Sequence, residues 1–90
     1  MREATVERYL RERVKEEGGV AIKLNTKSGR GWPDRIVMLP GGRLAFVEVR
    51  ASGRKATKLQ QLRIDQINAL GLHALVIDSK EAVDDFLLLY

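Results

Sequence analysis

Ninety residues with a formal charge of +4 and no cysteine are expected to form one small α/β domain over residues 1–90, since a chain of this length buries too little surface for a second core. The lack of cysteine excludes disulfides and thiolate metal sites, and with His73 as the only histidine any bound metal must be held mainly by carboxylate oxygen, which selects hard ions such as Mg²⁺ or Mn²⁺. No apolar run approaches the roughly 20 residues that span a bilayer, and MREATVERYLRERVKEEGG is charged and amphipathic rather than a targeting segment, so the expected setting is the cytoplasm, with no membrane partner.

In chain order, residues 3–17 place Val6, Tyr9, Leu10 and Val14 at helical spacing, and Gly18-Gly19 is the stop signal. VAIKL at 20–24 is a short strand run, followed by the polar loop NTKSGRGW, which has no periodicity. RIVML at 35–39 and RLAFVEVR at 43–50 are strands of a hairpin closed by Pro40-Gly41-Gly42. Alternation along the second of these puts Leu44, Phe46, Glu48 and Arg50 on one face and Ala45, Val47 and Val49 on the other. Thr57 is an N-cap for a helix running to Leu70, with Leu59, Leu62, Ile67 and Leu70 expected to face inward and Gly71 as its end. LHALVID then reads as a buried strand reached by a crossover, and Ser79 caps a final helix, KEAVDDFLLLY. The predicted order is αβββαβα, a mixed four-stranded sheet flanked by helices.

The charge is distributed unevenly. Residues 1–22 hold five basic and five acidic side chains and residues 64–90 hold one and five, whereas residues 23–63 hold ten basic ones and only two acids, Asp34 and Glu48, leaving that segment at +8. Such a field is a footprint for a polyanion. Lys23, Lys27, Arg30, Arg35, Arg54, Lys55 and Lys58 are the candidate phosphate contacts as a group, with a contribution that is independent of base sequence and falls with salt. Asp34 at the start of one strand and Glu48 in its hairpin partner are expected to converge at the sheet edge and share a divalent cation, whose shell is completed by water. Pro33 fixes the approach to Asp34 and biases Trp32 towards an extended backbone. The competing reading has Asp34 capping a turn and Glu48 paired with Arg35 or Arg50. His73 is read as a packed or edge residue outside the site. Trp32 is either a stacking partner for a base or a lid over the core.

Pro33-Asp34, a gap of 13 residues and Glu48-Val49-Arg50 resemble the PD-(D/E)XK nuclease motif, and the element order resembles the restriction-endonuclease-like core of that superfamily. Within it, GRGWPDRIVMLPGGRLAFVEVR, followed by a helix carrying Gln60 and a last strand with an acidic helix, is similar to the stand-alone VRR-NUC domains, the virus-type replication and repair nucleases of phages. The resemblance runs from Glu3 to the last helix. It implies a metal-dependent, structure-selective DNA endonuclease of a bacterial or phage-infected cell, acting in DNA repair on Holliday junctions or other branched DNA. Asp34, Glu48 and the main-chain carbonyl of Val49 would bind Mg²⁺ or Mn²⁺. A glutamate of the first helix, Glu3 or one turn on Glu7, would reach the metal shell, and Gln60, in preference to Gln61, would complete the site.

The sequence departs from the motif where the family has lysine, because Arg50 stands there. Arginine's high pKa prevents it from acting as a base, so its expected catalytic role is to stabilise charge on the phosphate. The alternative is a catalytically weakened or inactive nucleic-acid-binding module that keeps the nuclease fold. The terminal FLLLY is apolar on all sides of a helix, so it either packs wholly on its own core or meets a partner, and a symmetric homodimer formed partly through it is the expectation.

Overall fold

The computed structural model describes residues 1–25 and 30–90, in the order α1 (Glu3–Glu16), β1 (Val20–Lys23), β2 (Arg35–Leu39), β3 (Arg43–Val49), α2 (Lys58–Ala69), β4 (His73–Ile77) and α3 (Lys80–Leu89). Every predicted element is present, with ends within two residues of those read from the sequence. Helix α1 stops where Gly18, at φ +84°, donates to the Lys15 carbonyl (3.0 Å) while Gly19 donates to that of Val14 (2.9 Å), the paired bonds of a Schellman end. Thr57 caps α2 through Oγ1, which accepts from the Gln60 amide at 3.2 Å. Ser79 caps α3 in the same way through the Ala82 amide at 3.0 Å.

The four strands lie in the order β1-β2-β3-β4. The first three pair antiparallel and β4 lies parallel to β3, with α2 as the crossover between them. The main core fills the space between one face of the sheet and helices α1 and α3. Val6, Leu10 and Val14 meet Val37, Leu39, Ala45, Val47, Val49 and Ile77, closed by Val83, Phe86 and Leu87. On the other face a smaller cluster joins Ile64, Ile67 and Ala74 to Phe46 and Val76 beneath α2. Helix α2 thus covers the β3–β4 half of its face, while Val20, Ile22 and Met38 on the β1–β2 half remain exposed.

The inward face of α2 differs from the expected one. Ile64 and Ile67 are buried, whereas Leu59, Leu62 and Leu70 are exposed, Leu70 by 78%. Apolar residues surround much of this helix, so periodicity alone leaves its rotation open. The rotation observed puts Gln60, Ile64 and Ile67 along one i, i+4, i+7 stripe facing the sheet, because Gln60 is engaged with Glu48 on β3. The terminal apolar run is also divided. Phe86 and Leu87 are buried, Leu88 and Leu89 are each 81% exposed, and Tyr90 folds back to stack on His73, their ring centroids 4.2 Å apart, while its hydroxyl donates to the Leu44 carbonyl. His73 is therefore a packed residue of the edge strand. No helix among the described residues is long and apolar enough to cross a membrane.

Leu10 is fully buried between α1 and the sheet, so Leu10→Ala is expected to cost about 2–5 kcal/mol in urea denaturation. Leu70→Ala, at a site assigned to the core by periodicity, is expected to change stability by less than about 0.5 kcal/mol.

Candidate active site at the ends of the central strands

Because Arg35 is opposite Val47 in the β2–β3 ladder, one step back along β2 brings Asp34 beside Glu48. The two acids meet at the ends of the two central strands, not at a lateral edge of the sheet. Asp34 is anchored by its main chain, whose carbonyl accepts from the Leu24 amide at 2.7 Å, and by the buried Pro33 before it. Its Oδ2 is paired with Arg35 Nη1 at 2.8 Å, and its Oδ1 is buried without a hydrogen-bond partner among the described residues.

Glu48 shares its strand face with Phe46 and is only 7% exposed. Its Oε2 accepts from Gln60 Nε2 at 3.3 Å. The other end of the same amide, Gln60 Oε1, accepts from the Thr57 main-chain amide (2.8 Å) and from Arg50 Nη1 (3.4 Å). Gln60 therefore closes the capping box of α2 and bridges Glu48 to Arg50 with one side chain. The resemblance pointed to Gln60, but its capping role was readable from Thr57-x-x-Gln60 alone.

Burial, then the facing charge of Asp34, pushes the Glu48 carboxyl up to about 7; Arg50 and Arg35 oppose the shift, and Glu3 adds to it. A hard divalent cation suits this pair, since it would take up the orphan Oδ1 and offset the mutual repulsion of two carboxylates. Val49 is 2% exposed with its side chain in the core, which leaves only its main chain available to the site. Glu3 is exposed at the start of α1, and its charge acts on Glu48. Glu7 is instead paired with Arg11 at 2.7 Å. Among the described residues, no three His, Cys, Asp or Glu side chains come together closely enough to hold an ion, so the structure brings together Asp34 and Glu48 but does not add Glu3 to them as a third close ligand.

Of the basic residues, Lys23, Arg30, Arg54, Lys55 and Lys58 are exposed, and the last three line a groove at the start of α2 with Thr57 and Gln61. Lys27 lies outside the described residues. Arg35 departs from the expectation of a surface phosphate contact: it is 7% exposed and committed to Asp34. Alternation explains this, since Arg35 falls on the β2 face that carries Val37 and Leu39 into the core. Trp32 is not a lid over the core; its ring lies under the Arg63 guanidinium, 4.5 Å from Cζ to the centroid. Nothing in the sequence pattern marked Arg63.

The raised Glu48 carboxyl sets a pH dependence. A folded-state value above the ordinary 4.5 means the fold holds this proton more tightly than the unfolded chain, so the associated stability is complete below about 4.5 and lost as pH climbs through about 7. Metal-free protein is therefore expected to have a higher urea midpoint at pH 5 than at pH 8, and Glu48→Gln to flatten that difference. An equal slope in the variant would show that other groups set it.

No family model matches the chain. It is 40% identical over 81 residues, 90% of its length and 87% of the relative's, to a protein named "Putative nuclease p44" from Acyrthosiphon pisum secondary endosymbiont phage 1. Among solved structures it is similar to one described as "VRR_NUC domain", with a TM-score of 0.88 and 30% identity over 98% of this chain and 96% of that one. The mixed sheet and its flanking helices are thus matched by a likeness along nearly the whole chain in both sequence and fold, and the chain belongs to the VRR-NUC domain family.

Proposed function

We propose that this protein is a nuclease, and more narrowly a Mg²⁺- or Mn²⁺-dependent DNA endonuclease that selects branched structures such as Holliday junctions and acts in DNA repair. The observation that carries the reading is the facing pair of half-buried Asp34 and buried Glu48, one oxygen of it without a partner among the described residues, set among basic side chains. The family membership and the name carried by the phage relative support the nuclease class.

In this reading Asp34, Glu48 and the Val49 carbonyl would hold the cation, and Glu3 would contribute to its shell. When bound, such an ion lowers the pKa of a coordinated water and offsets charge on a phosphodiester. The chain's own groups do the rest. Gln60 orients Glu48, Arg50 faces the developing phosphate charge as a fixed cation, and Arg54, Lys55 and Lys58 bind flanking phosphates. A second copy related by two-fold symmetry would present a second site to the paired strands of a branch. The exposed Leu88 and Leu89 are the proposed contact between copies.

Incubation with labelled duplex, flap, four-way junction, single-stranded DNA and RNA, with and without Mn²⁺, tests the whole. Metal-dependent products are expected from a branched DNA, and products from RNA alone would reject the DNA assignment. Asp34→Ala is expected to lower cleavage by about a thousandfold or more, because the charge stabilisation lost is several kcal/mol at about 1.4 kcal/mol per tenfold, while metal-free DNA binding persists. Arg50→Lys should cut at least as fast as the natural protein. No cleavage by either under Mg²⁺ or Mn²⁺ would leave a binding module in place of an enzyme. Light scattering at micromolar concentration is expected to give a dimer mass that Leu88→Glu/Leu89→Glu converts to monomer; a monomeric natural protein would end the dimer proposal.

A further inference from the structure

Asp34 sits at the end of a loop that is attached to α2 as well as to the sheet. Gly31 adopts φ +75° and lies so close to α2 that a Cβ there would come within 2.6 Å of the Leu59 side chain and 3.0 Å of its main chain. The ring of the next residue, Trp32, lies beneath Arg63, whose Cζ is 4.5 Å from the ring centroid. Arg63 Nε donates to the Arg30 carbonyl at 3.0 Å, and Nη1 donates to Gln66 Oε1, also at 3.0 Å. Gln66, one turn further along α2, steadies the guanidinium plane. Residues 30, 31 and 32 therefore each meet this helix immediately before buried Pro33 and half-buried Asp34. The same helix reaches Glu48 through Gln60, one turn before Arg63.

We infer that Arg63 is a positioning residue. It clamps the Trp32 loop onto α2, so that a single helix sets the separation of the two acids, holding Glu48 through Gln60 and Asp34 through the Arg63–Trp32 stack. The consequence for catalysis rests on the proposed function; the clamp itself does not. A guanidinium spent on a carbonyl, an amide and an indole face is occupied, and its role is to fix a carboxylate that it does not touch. Lysine would not replace it, because an ammonium lacks the planar fork that donates twice while lying on a ring.

Trp32 is the only tryptophan, so its fluorescence reports the loop directly. In Arg63→Ala, acrylamide quenching of Trp32 should rise. Mn²⁺ affinity measured without DNA, and kcat, should each fall about tenfold or more, the usual effect of losing a residue that orients a metal ligand. KM for DNA and its salt dependence should stay unchanged. Arg63→Lys should behave like the alanine variant, and Trp32→Phe, which keeps a ring under the guanidinium, should keep most of the kcat. Trp32→Leu removes the stack from the loop side and serves through Mn²⁺ affinity and kcat if the helix variant folds poorly.

Unchanged quenching in Arg63→Ala overturns the clamp. Raised quenching with natural Mn²⁺ affinity and kcat overturns the positioning role. A raised KM with a shallower salt dependence and natural kcat overturns it too, by making Arg63 a phosphate contact. A natural protein that neither binds Mn²⁺ nor cleaves overturns the functional reading instead, and the quenching comparison still decides whether the clamp exists.

Discussion

Two carboxylates facing each other at the ends of neighbouring strands are the constraint around which this small protein is arranged. A charge taken out of water is costly unless it is paired and hydrogen-bonded, and here burial, followed by the like charge of Asp34, raises the proton affinity of the deeper acid, Glu48. The surroundings answer that cost only in part. Arg35 pairs with Asp34, and Gln60 donates to Glu48, yet Asp34 Oδ1 and the Nε atoms of Arg35 and Arg50 are buried without partners among the described residues. Unsatisfied polar atoms gathered in one place, in a fold whose core is otherwise apolar, are characteristic of a site that keeps capacity for something else.

Helix α2 is the element that makes this arrangement possible. As the crossover between parallel strands β3 and β4 it must cross the face of the sheet that carries Glu48. Its capping box then places Gln60 against that acid, joining a local requirement of helix starts to the geometry of the site. Its rotation follows the same contact: the stripe of Gln60, Ile64 and Ile67 turns towards the sheet, and three leucines that would have served equally well in a core are left outside. Local helix stability and site geometry therefore depend on the same side chain.

The outer surface divides into two regions. Exposed cations lie at the start of α2 (Arg54, Lys55 and Lys58) and at the end of β1 (Lys23), where a polyanion would be drawn towards the two acids. Apolar side chains remain exposed elsewhere, on the β1–β2 half of the sheet face that α2 leaves uncovered and at Leu88 and Leu89 on α3. With a main core confined to one face of the sheet, the protein has more apolar surface than its own helices can cover.

The sequence by itself determined the order and type of every element, because caps, glycine stops and the change of hydrophobic period from helix to strand are local properties of a few adjacent residues. It also determined that Asp34 and Glu48 converge, since a hairpin with a short turn has its register set by the turn. Only the tertiary structure decided which face of α2 is buried, because apolar residues on several sides of a helix leave its rotation to its contacts. It alone removed Arg35 from the surface, since the depth of a strand face depends on what packs over it. And it alone joined Arg63 to Trp32, two residues 31 positions apart in the chain, because a contact between a loop and a distant helix leaves no periodic trace in either.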